Sequence, residues 1–169
     1  MTLQYIIISG TNRKNSNSSK VARKYRCLLS EKGTTSTYFS LDGWKWLEKS
    51  PAFDQLQKEL LVPAQRLIFI LPEYNVSIPG VLKLMIDLSD HRFVWQGKKA
   101  LLTGISTGHA GNLRGMEQMT GILNYLKVIV HPNKLPISSL DKLLNGEGEI
   151  TDEDNLEAIN TQLKEFIEF

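Results

Sequence analysis

Cysteine occurs once in this chain, at Cys27, so no disulfide can form within it and nothing asks for an oxidising compartment. No apolar run approaches the ~20 residues needed to cross a bilayer. The first residues, Met1-Thr2-Leu3-Gln4-Tyr5, carry no basic leader and no small-residue cleavage site. Together these absences predict a cytoplasmic protein without a membrane partner. The three histidines, His91, His109 and His131, lie far apart and lack metal-ligand spacing, which argues against a metal site. Neither sign of charge dominates: 20 Lys and Arg stand against 18 Asp and Glu, and the basic residues are spread along the chain. That is not the footprint of a nucleic-acid binder. Two familiar phosphate loops, G-x-G-x-x-G and G-x-x-x-x-G-K-[ST], are missing as well.

What is present suits one globular domain over residues 1–169, since 41% of the residues are hydrophobic and there is no internal repeat or low-complexity tract. Apolar runs that read as strands occur at Leu3–Ile8, Thr34–Leu41, Arg66–Leu71, Lys98–Ile105 and Lys127–His131. Helical spacing follows each of them. The first helix starts near Ser18 and carries Val21, Ala22, Tyr25, Leu28 and Leu29 as its apolar stripe, which turns Cys27 towards solvent. The second opens at Ser50-Pro51 and carries Phe53, Leu56 and Leu60. The third is capped near Ser77 or Ile78 and carries Val81, Leu82, Met85 and Leu88, with Leu84 and Ile86 broadening its apolar face. A face that broad suits burial against a second copy of the chain, hence a homodimer. Leu113 to Leu126 form the fourth helix, Pro132 to Gly148 read as an irregular surface segment, and Thr151-Asp152-Glu153-Asp154 open the fifth helix. The alternation predicts an α/β fold of three layers: a doubly wound, five-stranded parallel sheet in the order 2-1-3-4-5.

In such a sheet the loops after strands one, three and four share one rim, and all three are unusual here. The first, Ser9 to Ser19, is rich in hydroxyls and leads into a helix N-terminus, where unpaired N–H groups attract anions. Thr11, Arg13, Ser16, Ser18 and Ser19 suit a phosphate, although the loop reads equally as a polar connection with a serine cap. In the second, Pro72 and Pro79 bracket Glu73, Tyr74 and Asn75, which offer a carboxylate, an aromatic face and an amide to a flat ring or form a simple turn. The third, Ser106 to Asn112, has Gly108 and Gly111, which permit close approach of a ligand or serve a turn. Trp44 and Trp46 lie towards the same rim but suit core packing, and Trp95 belongs at the opposite edge. His91 and His131 read as surface or strand-end residues, whereas His109 sits on the rim, where with Arg114 it is a candidate to meet a dinucleotide.

Read together, Gly10 to Ser18, Pro72-Glu73-Tyr74-Asn75 running on to Pro79-Gly80-Val81-Leu82-Lys83, Gly97-Lys98-Lys99, and Ser106-Thr107-Gly108 with Leu113-Arg114 resemble the NADPH-dependent FMN reductase family, which includes quinone and azo-dye reductases. The resemblance implies a flavodoxin-like fold, a dimer or tetramer, and bound FMN. It assigns the FMN phosphate to Thr11, Arg13, Ser16, Asn17 and Ser18, the isoalloxazine ring to Pro72, Glu73, Tyr74 and Asn75, and the pyrimidine side of that ring to Ser106, Thr107 and Gly108. The third loop departs from the pattern, because His109 and Ala110 stand where the family is often richer in glycine. The implied activity transfers hydride from NADPH or NADH to the flavin and on to a small-molecule acceptor such as a quinone, azo compound or free flavin, with no catalytic triad. Two other readings stand beside it. A flavodoxin-type electron carrier would be expected to be acidic, and this chain has a net charge of +2. A non-enzymatic FMN-binding module would bind the flavin without oxidising NADPH.

Overall fold

The computed structural model describes residues 4–169; Met1 to Leu3, including the expected start of the first strand, lie outside them. Strands β1 (Tyr5–Ser9), β2 (Ser36–Ser40), β3 (Arg66–Pro72), β4 (Lys99–Ile105) and β5 (Ile129–Val130) pair in the order β2-β1-β3-β4-β5, every neighbour parallel. Alternate residues of each strand supply opposite faces. Ile6, Ile8, Leu67, Phe69, Leu71, Ala100 and Leu102 belong to the core beneath helices α2 (Pro51–Leu56), α3 (Gly80–Leu88) and α4 (Leu113–Tyr125). Tyr5, Ile7, Ile68, Ile70 and Leu101 belong to the core beneath α1 (Asn17–Glu31) and α5 (Glu153–Glu168). Burial on both faces explains the unbroken apolar runs, and each fully buried aliphatic contributes about 1.5–3 kcal/mol.

Local chemistry sets the helix ends. Ser16 caps α1 by accepting from the Ser19 amide, and the helix stops where Gly33, at φ +72°, lets the Gly33 and Thr34 amides return to Ser30 and Leu29. Ser50 and Asp152 cap α2 and α5 in the same way. The N-cap of α3 is Pro79 rather than Ser77 or Ile78, and its side chain makes no capping bond. Ser77 instead donates to Gln118 of α4. The second helix continues beyond Leu56 as a wider, π-type turn over Gln57–Leu61, so the expected stripe of Phe53, Leu56 and Leu60 is not on one regular helix.

The fifth strand differs from expectation. Only Ile129 and Val130 pair with Lys99 and Ala100; the ladder then breaks and resumes as β6 (Leu135–Ile137), parallel to Thr103–Ile105. Pro132, which has no N–H to give, falls in the gap. His131 stands at the end of β5, as one of its two readings had it, but turns inward, 5% exposed, with its ring 4.8 Å from that of Phe169 and 6.0 Å from that of Phe166, so it is not a surface residue. The segment Pro132–Gly148 is likewise not confined to the surface, since Ile137 and Leu140 are buried. Trp95 is fully buried against Phe69 beneath the edge opposite the rim. Cys27 is exposed.

Two buried polar groups tie the layers together. Gln162 of α5 accepts from the Tyr25 hydroxyl (2.7 Å) and donates to the carbonyls of Leu102 and Asn133, joining α1, α5 and the sheet. Lys98 donates to the carbonyls of Leu61 and Val62 at 2.5 and 3.1 Å, holding the end of the π-type turn. Burial pushes the Lys98 ammonium down to about 8. The unfolded chain, with an ordinary lysine, therefore binds more protons between about pH 8 and 10.5, and stability rises with pH across that window. Lys98→Met is expected to remove this rise when denaturant unfolding is measured at pH 7.5 and 9.5; equal pH dependence in both proteins would contradict it.

Candidate functional site

The C-terminal ends of β1, β3 and β4 are adjacent in the sheet, so the loops that leave them meet. They enclose a cavity of about 310 Å³ whose wall includes Thr11, Arg13, Ser16, Asn17 and Ser18 from the first loop, Pro72, Glu73 and Tyr74 from the second, and Ser106 and Thr107 from the third. Ten of the twelve residues singled out from sequence thus share one wall. The other two, Asn75 and Gly108, line a neighbouring cavity of about 320 Å³ with Val76, His109 and Ala110, and Glu73, Ser106 and Thr107 belong to both.

The first loop turns away from the sheet close to β3. The Gly10 amide donates to the Ile70 carbonyl, and a Cβ at Gly10 would meet that oxygen at 3.0 Å, so a side chain here would push the loop off the strand. Beyond it, Ser16, Ser19 and Ser9 form a chain of hydroxyls at 3.0 and 3.3 Å. Ser18 is different: it is 1% exposed, and its hydroxyl oxygen is buried with no hydrogen-bond partner. A buried hydroxyl left in that state costs about 1–3 kcal/mol, which a bound acceptor would recover. The first-turn amides of α1, which a helix cannot satisfy internally, lie at the same place.

Thr11 is buried and shares a 2.6 Å hydrogen bond with the Tyr74 hydroxyl, while the Arg13 guanidinium lies 4.2 Å from the centre of the Tyr74 ring. The second loop is a tight turn closed by paired Tyr74–Ser77 backbone bonds, with both central residues left-handed: Asn75 at φ +51° and Val76 at φ +66°. Such a turn favours Asn followed by Gly, so asparagine fits it and the β-branched valine is strained. In the third loop the Gly111 amide donates to Ser106 Oγ, and the buried Asn112 both caps α4 and donates to the Leu71 carbonyl. Ile137 and Gly108 carbonyls accept from Ser106 and Ser139 amides, which suspends this loop from β6.

Four wall residues were not singled out from sequence: Lys14, Asn15, Ile105 and Leu140. Leu140 is the informative omission. The short alternation Leu135-Pro136-Ile137, followed three residues later by an apolar Leu140, was the available signal of a segment returning to the core. Among the described residues, no group of three or more His, Cys, Asp or Glu side chains is placed to hold a metal ion, and no helix is long and apolar enough to cross a membrane.

The profile of the NADPH-dependent FMN reductase family matches residues 3–141. The chain belongs to that family. A 2-hydroxy-1,4-benzoquinone reductase of Burkholderia sp is 27% identical over 113 residues, covering 64% of this chain and 62% of that protein. An NAD(P)H-dependent FMN reductase of Pseudomonas aeruginosa is 33% identical over 119 residues, covering 68% of this chain and 63% of that one. The chain thus spans about three fifths of the length of these two relatives. Among solved structures, the flavoenzyme NAD(P)H:(acceptor) oxidoreductase of Paracoccus denitrificans superposes with a TM-score of 0.80 at 19% identity, over 99% of this chain and 96% of that one. That likeness, with the strand order, shows the flavodoxin-like fold of the family member described here.

Because a left-handed β-branched residue costs roughly 1–2 kcal/mol, Val76→Gly is expected to raise stability by about 1 kcal/mol. A shift of the urea midpoint to higher concentration would show it; an unchanged or lower midpoint would refute the strain.

Proposed function

We propose that this chain forms a single FMN-binding domain that acts as an NAD(P)H-dependent oxidoreductase, passing electrons from NADPH or NADH to a small acceptor such as a quinone, azo compound or free flavin. The observation that carries the proposal is the hydroxyl-lined cavity at the end of α1, with a buried Ser18 hydroxyl that lacks a partner. A phosphate monoester would meet that hydroxyl, those of Thr11 and Ser16, the amide of Asn17 and the first-turn N–H groups of α1, while Arg13 balances its charge. Pro72 to Asn75 and Ser106 to Gly108 would border the ring, and Ile105 and Leu140 supply apolar wall on the same side. Bound FMN supplies the two-electron chemistry, which no side chain of the wall can perform. The polypeptide's task is to hold and orient it and to keep the adjoining cavity open to a second reactant.

The names of the relatives, a benzoquinone reductase and an FMN reductase, support a small-molecule acceptor and a nicotinamide donor. The near-neutral balance of charge speaks against an electron carrier that docks through an acidic surface. A homodimer or homotetramer is part of the proposal, because Tyr125 stands 82% exposed on an apolar groove between α3 and α4 that includes Ile86, Ile122 and Leu126. A cytoplasmic location accords with the free, exposed Cys27.

The purified protein is expected to carry or take up a yellow chromophore with flavin absorption and to consume NADPH when a quinone is added. A yellow protein that leaves NADPH untouched would make it a binding module instead. Arg13→Ala is expected to weaken FMN binding by about 1.5–3 kcal/mol in a fluorescence titration, as for a lost charge-assisted bond, and unchanged affinity would count against the phosphate assignment. Tyr125→Glu should lower the sedimenting mass towards that of one chain; an unaltered mass would remove this face from the assembly.

A further inference from the structure

The side chain of Tyr74 connects two loops that lie 63 residues apart in sequence. Its hydroxyl meets Thr11 Oγ1, the same atom that accepts the Arg13 amide at 3.3 Å, and its ring carries the Arg13 guanidinium 4.2 Å from its centre. Three residues therefore close a small circuit at the edge of the cavity. Arg13 is exposed, and the one ion pair among the described residues is Lys83–Asp87, so no carboxylate restrains the guanidinium. Left alone, so long a side chain would sample many rotamers.

We infer that Tyr74 is a positioning residue for the phosphate end of the site, holding the Arg13 guanidinium and the Thr11 hydroxyl where a dianion is received. This inference rests on the FMN-binding reading above and adds a role there to a residue that the family resemblance assigns to the ring. Stacking engages the flat face of a guanidinium and leaves its in-plane N–H donors free, which are the groups that bind phosphate. The tyrosine is itself held by the closed turn through Asn75 and Val76, whose left-handed backbone returns the chain at once to Ser77. The strained turn thus provides a fixed mount, the ring a platform, and the hydroxyl a tether to the buried Thr11.

The test compares two ligands that share a ring system and differ in the phosphate. FMN and riboflavin are titrated by fluorescence into the wild type, Tyr74→Ala, Tyr74→Phe, Arg13→Ala and the Tyr74→Ala/Arg13→Ala double variant. Tyr74→Ala is expected to weaken FMN about tenfold more than it weakens riboflavin, whose loss reports contact with the ring alone, with Tyr74→Phe between it and the wild type because the platform survives. In the Arg13→Ala background the alanine at position 74 should cost FMN much less than it does alone. Should Tyr74→Ala fail to fold, Tyr74→Phe decides the matter through its own FMN-to-riboflavin ratio. Parallel losses for both ligands, or full additivity with Arg13→Ala, would overturn the inference and leave the FMN-binding reading intact. A wild type that binds neither flavin would overturn both, and one that binds them equally would overturn this inference through the phosphate assignment.

Discussion

The parallel pairing of β1, β3 and β4, covered on both faces, is the constraint on which the site depends. Strands that run the same way must leave the sheet at the same edge, and strands that are neighbours must leave it side by side. The first, second and third loops are therefore brought together by ladder geometry, before any contact among the loops themselves. Helix α1 begins at that edge because its strand has just ended there, so an anion-attracting helix terminus arrives without a separate device. The same apolar residues that glue the strands to the helices thus decide where polar chemistry can gather.

Within that frame the loops differ in how firmly they are held. Gly10 is bonded to β3, and Asn112 reaches from the end of the third loop to the Leu71 carbonyl while capping α4, so both loops are braced against the central strand. A site built this way needs little reorganisation to accept a ligand. Arg13 is exposed, and its restraint comes from an aromatic surface instead of a backbone bond. The distribution matches the tasks: short hydroxyls and amides must be placed closely, whereas a full charge acts over a longer distance.

Much of the fold was legible in the order of apolar runs. Period-two burial on both faces left nearly continuous strands such as Arg66–Leu71, and a serine or aspartate cap announced three of the helices. The rim followed from topology, and ten of the twelve residues chosen from its loops line one cavity. The failures have local causes. His131 was read as a surface or strand-end residue; it does follow the end of β5, but its ring packs edge-on against Phe166 of α5 and Phe169 just beyond it, a pairing no local pattern carries. Leu140 was hidden because Pro132 and Pro136 mark a loop to any local reading, while the chain places Pro132 before, and Pro136 within, a three-residue strand that pairs with β4. The strain at Val76 was likewise invisible until the backbone angles were known.

The interrupted outer edge of the sheet has a mechanical meaning. Because β6 hangs on the last three residues of β4, and the Ser106 and Ser139 amides join it to the third loop, one rim of the cavity is suspended from the least extensively paired strands. Gln162 clamps the same region through the Asn133 carbonyl, and the His131 ring leans on α5. Loosening of the final helix would therefore travel through this margin as slack in a hinge, widening one lip of the cavity while the opposite lip, anchored in the middle of the sheet, kept its shape.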